Sequence, residues 1–207
     1  MIYRIQKISR SKIDKMYTKS MKELNSFFPI NWTHNLPNLI LVPDRETINA
    51  LKGHKTEDWV VGWADRNKVY LLDGKNFNKE SSHQYSDEEF FVSIKHELAH
   101  CFSYVLADFS RIPIWLLEGI AIYVSGEYKQ QTKPKKFKNF INYFDKSGEG
   151  VYSESGFAVM FLIEKYGKKK LLSLLKSLKK VKSKADFAKL FKSIYGFELS
   201  YKNFRVI

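Results

Sequence analysis

The sequence predicts a single domain of the α+β class. Runs rich in β-formers are confined to the first half of the chain, whereas patterns of helical period fill the second. A length of 207 residues suits one domain, 1–207, with an α+β part at 1–110 and a helical part at 111–207. Hydrophobic residues make up 44% of the chain and aromatics 15%, which supplies a sizeable core and argues against disorder as the main state.

Taken in order, residues 9–28 place Ile13, Met16, Tyr17, Met21, Leu24, Phe27 and Phe28 at three- and four-residue spacings. That is an amphipathic helix, ended by Pro29. The apolar run Asn38–Val42 lies between Pro37 and Pro43 and reads as a buried strand. Residues 44–51 form a short helix closed by Gly53. The runs 58–64 and 68–72 join through Asp65-Arg66-Asn67 as a hairpin. Polar residues 73–85 read as a loop. Ser86 or Asp87 then caps a long helix to about Asp108, with Glu88 and Glu89 in its first turn, where the helix dipole favours acids. Pro113 opens another helix, which ends near Gly126. Residues 137–144 read as helical and Gly148-Glu149-Gly150 as a turn. Three more helices follow: 155–166, ended by Gly167; 168–180; and 186–195, capped by Gly196. There is no internal repeat.

A single cysteine, Cys101, excludes an internal disulfide framework. Residues 1–17 lack the apolar core and cleavage site of a signal peptide, and no run reaches the roughly 18 apolar residues of a bilayer span. The expected compartment is the cytoplasm. The formal net charge is +13, with much of the excess beyond Tyr128. A charge of that size raises nucleic acid or an acidic protein as partner. The lysines, however, follow amphipathic patterns and do not stack into a recognition motif, so a solvated face is the favoured reading.

The chemistry concentrates in residues 95–121. His96-Glu97-Leu98-Ala99-His100 is an H-E-x-x-H motif, followed by Glu118 in Trp115-Leu116-Leu117-Glu118-Gly119. Residues four apart on a helix share a face, with Cβ atoms about 5–6 Å apart, so the two imidazoles can converge on one metal ion. Glu97 lies about 100° further round, within reach of a water at the metal without being a ligand, the position of a general base. Catalytic zinc takes three protein ligands and keeps one position open, and two histidines with a glutamate are a standard set. Glu118 completes it. A glutamate among Trp115, Leu116, Leu117 and Ile120 is costly to bury unless paired or coordinated.

With Gly62-Trp63-Ala64 before the motif, and Tyr152-Ser153-Glu154-Ser155-Gly156-Phe157 and Tyr166-Gly167 after it, the chain resembles the peptidase MA-like group of gluzincins over roughly residues 35 to 200. These are zinc metallopeptidases with a glutamate as third ligand. The resemblance implies a zincin-like lobe with a small mixed sheet and the motif helix, then a helical lobe across a cleft. It implies zinc held by His96, His100 and Glu118, with Glu97 polarising the water. It also implies that Tyr152 faces the site as an oxyanion stabiliser, a role open equally to Tyr123 or Tyr143. The strand at 59–64 would be the sheet edge that pairs with an extended peptide or protein substrate. One departure stands out. The family often has an acid one turn after the glutamate ligand to orient a histidine, and here that position is Ile122.

Two rival functions are compatible with these residues. One is a regulatory zincin that cleaves a repressor. The other is a zincin-fold binding module that uses its basic face on an acidic partner or nucleic acid, against which the intact Glu97 argues. Elsewhere, Cys101 is expected to be buried and structural, pointing away from the histidine face. Trp63 is read as packing, and His34, His54 and His83 as solvent-exposed loop residues.

Overall fold

The computed structural model describes residue 9 and residues 11–206. Residues 1–8 and 10, about half of the stretch 1–17 read as lacking a signal peptide, lie outside them. The architecture is α+β, as expected: one small sheet with helices around it.

Helix α1 (Ser11–Phe27) is followed by strand β1 (Asn38–Val42), and the Tyr17 hydroxyl donates to the Pro37 carbonyl at 2.6 Å to fix the approach. Helix α2 (Arg45–Lys52) has Asp44 as its cap, accepting from the Thr47 N–H at 2.8 Å, and ends on Gly53 at φ 75°. Strands β2 (Gly62–Asp65) and β3 (Lys68–Leu72) form the expected hairpin. The sheet order is β1-β3-β2. β1 runs parallel to β3 with Leu39 opposite Val69, and β2 runs antiparallel with Trp63 opposite Tyr70. β2 is therefore an edge strand.

Of residues 58–61, expected to extend the first hairpin strand, Val61 still accepts from the Leu72 N–H of β3 at 2.8 Å, but Asp58 and Val60 turn their carbonyls to one side chain. The Arg45 guanidinium donates to the carbonyls of Glu57, Asp58, Val60 and Glu80 at 2.6–3.2 Å, and to the Thr56 hydroxyl at 3.0 Å. An arginine has five donors in a planar fork, enough to replace a strand partner here. The loop expected at 73–85 holds a 3-10 turn and a short helix, α3 (Phe77–Glu80), anchored by the fully buried Phe77.

Helix α4 (Asp87–Leu106) is capped by Ser86, whose hydroxyl accepts from the Glu89 N–H at 3.0 Å, with Asp87, Glu88 and Glu89 in the first turn. It packs against α1, the sheet and helix α5 (Ile114–Ser125). α5 begins one residue after Pro113, and its first N–H groups are satisfied from outside the helix. Ile114 donates to Phe144 O at 2.8 Å and Trp115 to Tyr143 O at 2.9 Å.

That donation explains one correction. Residues 137–144 were expected to be helical, but only Phe140–Asn142 makes a 3-10 turn. The carbonyls of Tyr143 and Phe144 serve α5. The N–H groups of Lys138, Asn139 and Phe140 donate at 2.9–3.1 Å to the buried carboxylate of Glu154. With donors and acceptors both claimed by neighbours, the segment has too few left to close a helix.

A second correction follows. Helix α6 (Glu149–Tyr166) begins six residues before the expected 155, so Gly150 lies in its first turn and Tyr152 on the helix. Helices α7 (Lys168–Ser177) and α8 (Lys184–Tyr195) complete the chain, with Gly196 at φ 83° closing the last. α5 and α6 form the most extensive helix pair. Their approach is close enough to require glycine: a Cβ on Gly119 would lie 2.5 Å from the Ser155 carbonyl oxygen, and one on Gly156 would strike Ile122. Among the described residues no helix is long and apolar enough to cross a membrane.

Candidate metal centre

His96 and His100 stand one turn apart on α4, and Glu118 reaches them from the middle of α5. Their Nε2 atoms face each other at 3.2 Å, and the Glu118 Oε2 lies 3.5 Å from each. These distances decide whether a metal fits. A tetrahedral zinc with bonds of about 2.0–2.1 Å holds its ligand atoms about 3.3–3.4 Å apart. The three donors already stand at that spacing, and the side chains are largely buried, His100 at 6% exposure, His96 at 12% and Glu118 at 18%. The residues present fit the ion that the sequence implies.

The electrostatics point the same way. Glu97, Glu118 and Glu127 crowd the two imidazoles. Burial works against a proton on His96. Glu127, Glu118 and Glu97 outweigh it and hold that proton well above the ordinary value of 6.5. Burial pushes Glu118 upward, but His100 and then His96 overcome it and keep the carboxylate well below its usual range. Glu97 is raised, by burial first, with the histidines offsetting only part of it. Two facing nitrogens at 3.2 Å cannot both carry a proton into the gap, so the rings alone are a poor match for three carboxylates. A divalent cation is the natural complement.

Glu127 is the member of this cluster that sequence reasoning missed. It follows Gly126, which ends α5 at φ 90° and turns the chain back toward α4. Its Oε2 accepts from the His96 Nδ1–H at 2.7 Å, and its other oxygen accepts from Gln131 at 3.0 Å. The bond fixes the tautomer of His96 and aims its Nε2 lone pair at the candidate ion. Burial raises Glu127, but His96 more than compensates and the group stays ionised. The signal available in the sequence was an acid directly after a helix-ending glycine, off the helix position of Ile122. His100 has no such support: its Nδ1 is buried and partnerless among the described residues, with Tyr104 stacked on the ring at 5.8 Å.

Tyr152 is half-buried, and after burial the charge of Glu118 is the main influence raising its hydroxyl. That hydroxyl is 3.4 Å from Ser147 Oγ, and the ring meets Trp59 edge-on at 5.5 Å. Tyr123 stacks on Tyr128, and Tyr143 covers Gly148 and Gly150. Tyr104, not singled out from the sequence, also feels Glu118. Gly62 of the edge strand packs against Glu97: a Cβ there would lie 3.1 Å from the Glu97 Cγ. Cys101 is fully buried and its thiol is pushed up to about 12, chiefly by burial, which suits a structural role. Trp63 stacks on Tyr70 at 4.6 Å, as packing.

His34 and His54 are exposed, but His83 is not. Its Nδ1 lies 3.0 Å from Glu89 Oε1 and its Nε2 lies 3.1 Å from the Trp59 carbonyl. Both partners are acceptors, so only the doubly protonated ring satisfies both. Glu89 first, and then the Trp59 carbonyl, raise its pKa against burial.

No family model, curated protein or solved structure matches the chain.

Two outcomes are expected. Glu127→Gln weakens metal affinity by about 10–100-fold, read by competition with a chromogenic chelator; unchanged affinity would show that His96 needs no orienting carboxylate. The stabilisation from His83 is complete below the ordinary imidazole value of 6.5 and is lost as pH rises through its raised folded value. The melting temperature of wild type should therefore exceed that of His83→Gln at acidic pH, with the gap closing on the alkaline side. A gap that widens toward alkaline pH would rule the pair out.

Proposed function

We propose that this chain is a zinc-dependent metallopeptidase of the gluzincin kind, with His96, His100 and Glu118 as ligands. The observation that carries the reading is the 3.2–3.5 Å triangle of donor atoms beside a half-buried Glu97, whose raised carboxyl the histidines offset only in part. When bound, zinc supplies Lewis acidity to water and to the scissile carbonyl.

The protein groups do the rest. Glu97 accepts the proton of the attacking water and delivers it to the leaving amine; its raised pKa brings it closer to the pH at which both transfers run. Tyr152 donates its hydroxyl proton in a hydrogen bond to the developing oxyanion, and burial keeps that hydroxyl protonated. The outer side of edge strand β2, which passes Glu97 at Gly62, receives an extended peptide by backbone pairing. In this reading the domain is zincin-like: sheet and α4 form one wall of the cleft, α5 and α6 the other, and Trp59 and Tyr152 meet across it.

A binding module that had abandoned turnover would have no use for Glu97, whose burial lowers stability. The test is Glu97→Gln in zinc-loaded protein against a peptide library. Metal content should stay at the wild-type level while hydrolysis falls by about two to four orders of magnitude. Wild-type cleavage by that variant would overturn the mechanism.

A further inference from the structure

We propose that the face built from the α4–α5 turn and the α7–α8 segment docks the protein peripherally on an anionic lipid bilayer. This stands apart from the metal centre and does not depend on its chemistry.

The first observation is Phe109. At 57% exposure it is the most exposed large hydrophobic side chain among the described residues, and Val105 in the last turn of α4 is exposed beside it in sequence. The backbone holds it outward. Asp108 and Phe109 are consecutive left-handed residues, at φ 52° and 60°. A helix commonly ends on one such residue, usually glycine; a bulky aromatic there is an outlier. The turn is locked by its own hydrogen bonds, Phe109 N–H to Tyr104 O at 2.7 Å and Ser110 N–H to Ala107 O at 3.1 Å. An aromatic ring kept out of the core at a conformational cost is better explained by an apolar environment outside the protein than by packing within it.

The second observation is charge. Residues 168–184 contain eight lysines and no acid, and all eight are exposed. The segment is anchored from beneath by Leu171, Leu174, Leu175 and Leu178, so its charges ride on a fixed platform. Lys179 brings the two features together: its Nζ lies 4.0 Å from the Asp108 carboxylate, next to Phe109. Among the described residues Lys169, Lys176, Lys180, Lys182 and Lys184 have no ion-pair partner.

A bilayer interface matches this combination. Stable peripheral binding takes two signals, an apolar insertion and a basic patch, and both occur here, joined where Lys179 meets Asp108. Nucleic acid fits less well. The whole segment 165–192 carries lysine and not one arginine, so it lacks the planar fork that reads bases and grips phosphate in two places.

The test is co-sedimentation of the whole protein with vesicles of phosphatidylcholine, with and without phosphatidylserine. Binding is expected only with phosphatidylserine, weakening about fivefold for each of Lys180→Ala and Lys182→Ala. Phe109→Ser should weaken it about tenfold with an unchanged circular dichroism spectrum. Phe109→Trp should keep binding and add indole emission that shifts to the blue on the vesicles. Equal binding to neutral vesicles, no binding at all, or a Phe109→Ser variant that binds like wild type would overturn the proposal. Tighter binding to duplex DNA, dependent on the lysines and indifferent to Phe109, would reassign the face to nucleic acid.

Discussion

Two imidazoles and three carboxylates share one buried corner of this protein, and among the described residues no lysine or arginine forms an ion pair with any of them. Buried charges are tolerated only when paired or coordinated, and unpaired carboxylates in an interior lower stability by several kcal/mol each, on the order of the whole stability of a domain. The surrounding structure reads as the means of keeping these five groups together. α4 provides the two rings and Glu97, α5 provides Glu118, and the turn at Gly126 provides Glu127.

Position at this corner depends on helix crossings more than on local preference. Gly119, next to Glu118, lets α5 meet the backbone of α6 at Ser155. The same α6 supplies Tyr152 one turn earlier and Glu154, whose buried carboxylate gathers the loop that in turn caps α5. One element thus holds the third candidate ligand in place and carries the candidate oxyanion donor. Arg45 plays a comparable part elsewhere, tethering the loop that leads into edge strand β2.

Features with local causes were readable in the sequence. The strands at 38–42 and 68–72, the cap at Ser86 and the glycine stops rest on residue types at fixed offsets, and they appear where expected. The convergence of His96, His100 and Glu118 was also legible, from the helical spacing of two residues and an improbable acid on an apolar helix. The rest was set by partners distant in the chain. Residues 137–144 have helical character, yet Glu154 and α5 take their hydrogen bonds. His83 looks like a loop histidine until Glu89 and the Trp59 carbonyl close on its ring. Glu127 is invisible to any search along the helix, because the chain has already turned at Gly126.

The most direct test of the account is the metal itself. Protein purified without chelator or nickel would be analysed by elemental mass spectrometry and, after zinc loading, by X-ray absorption at the zinc edge. The expected result is a single zinc per chain bound by two imidazole nitrogens and a carboxylate oxygen, lost in both His96→Ala and Glu118→Ala. Failure to take up zinc, or uptake that survives either substitution, would contradict it.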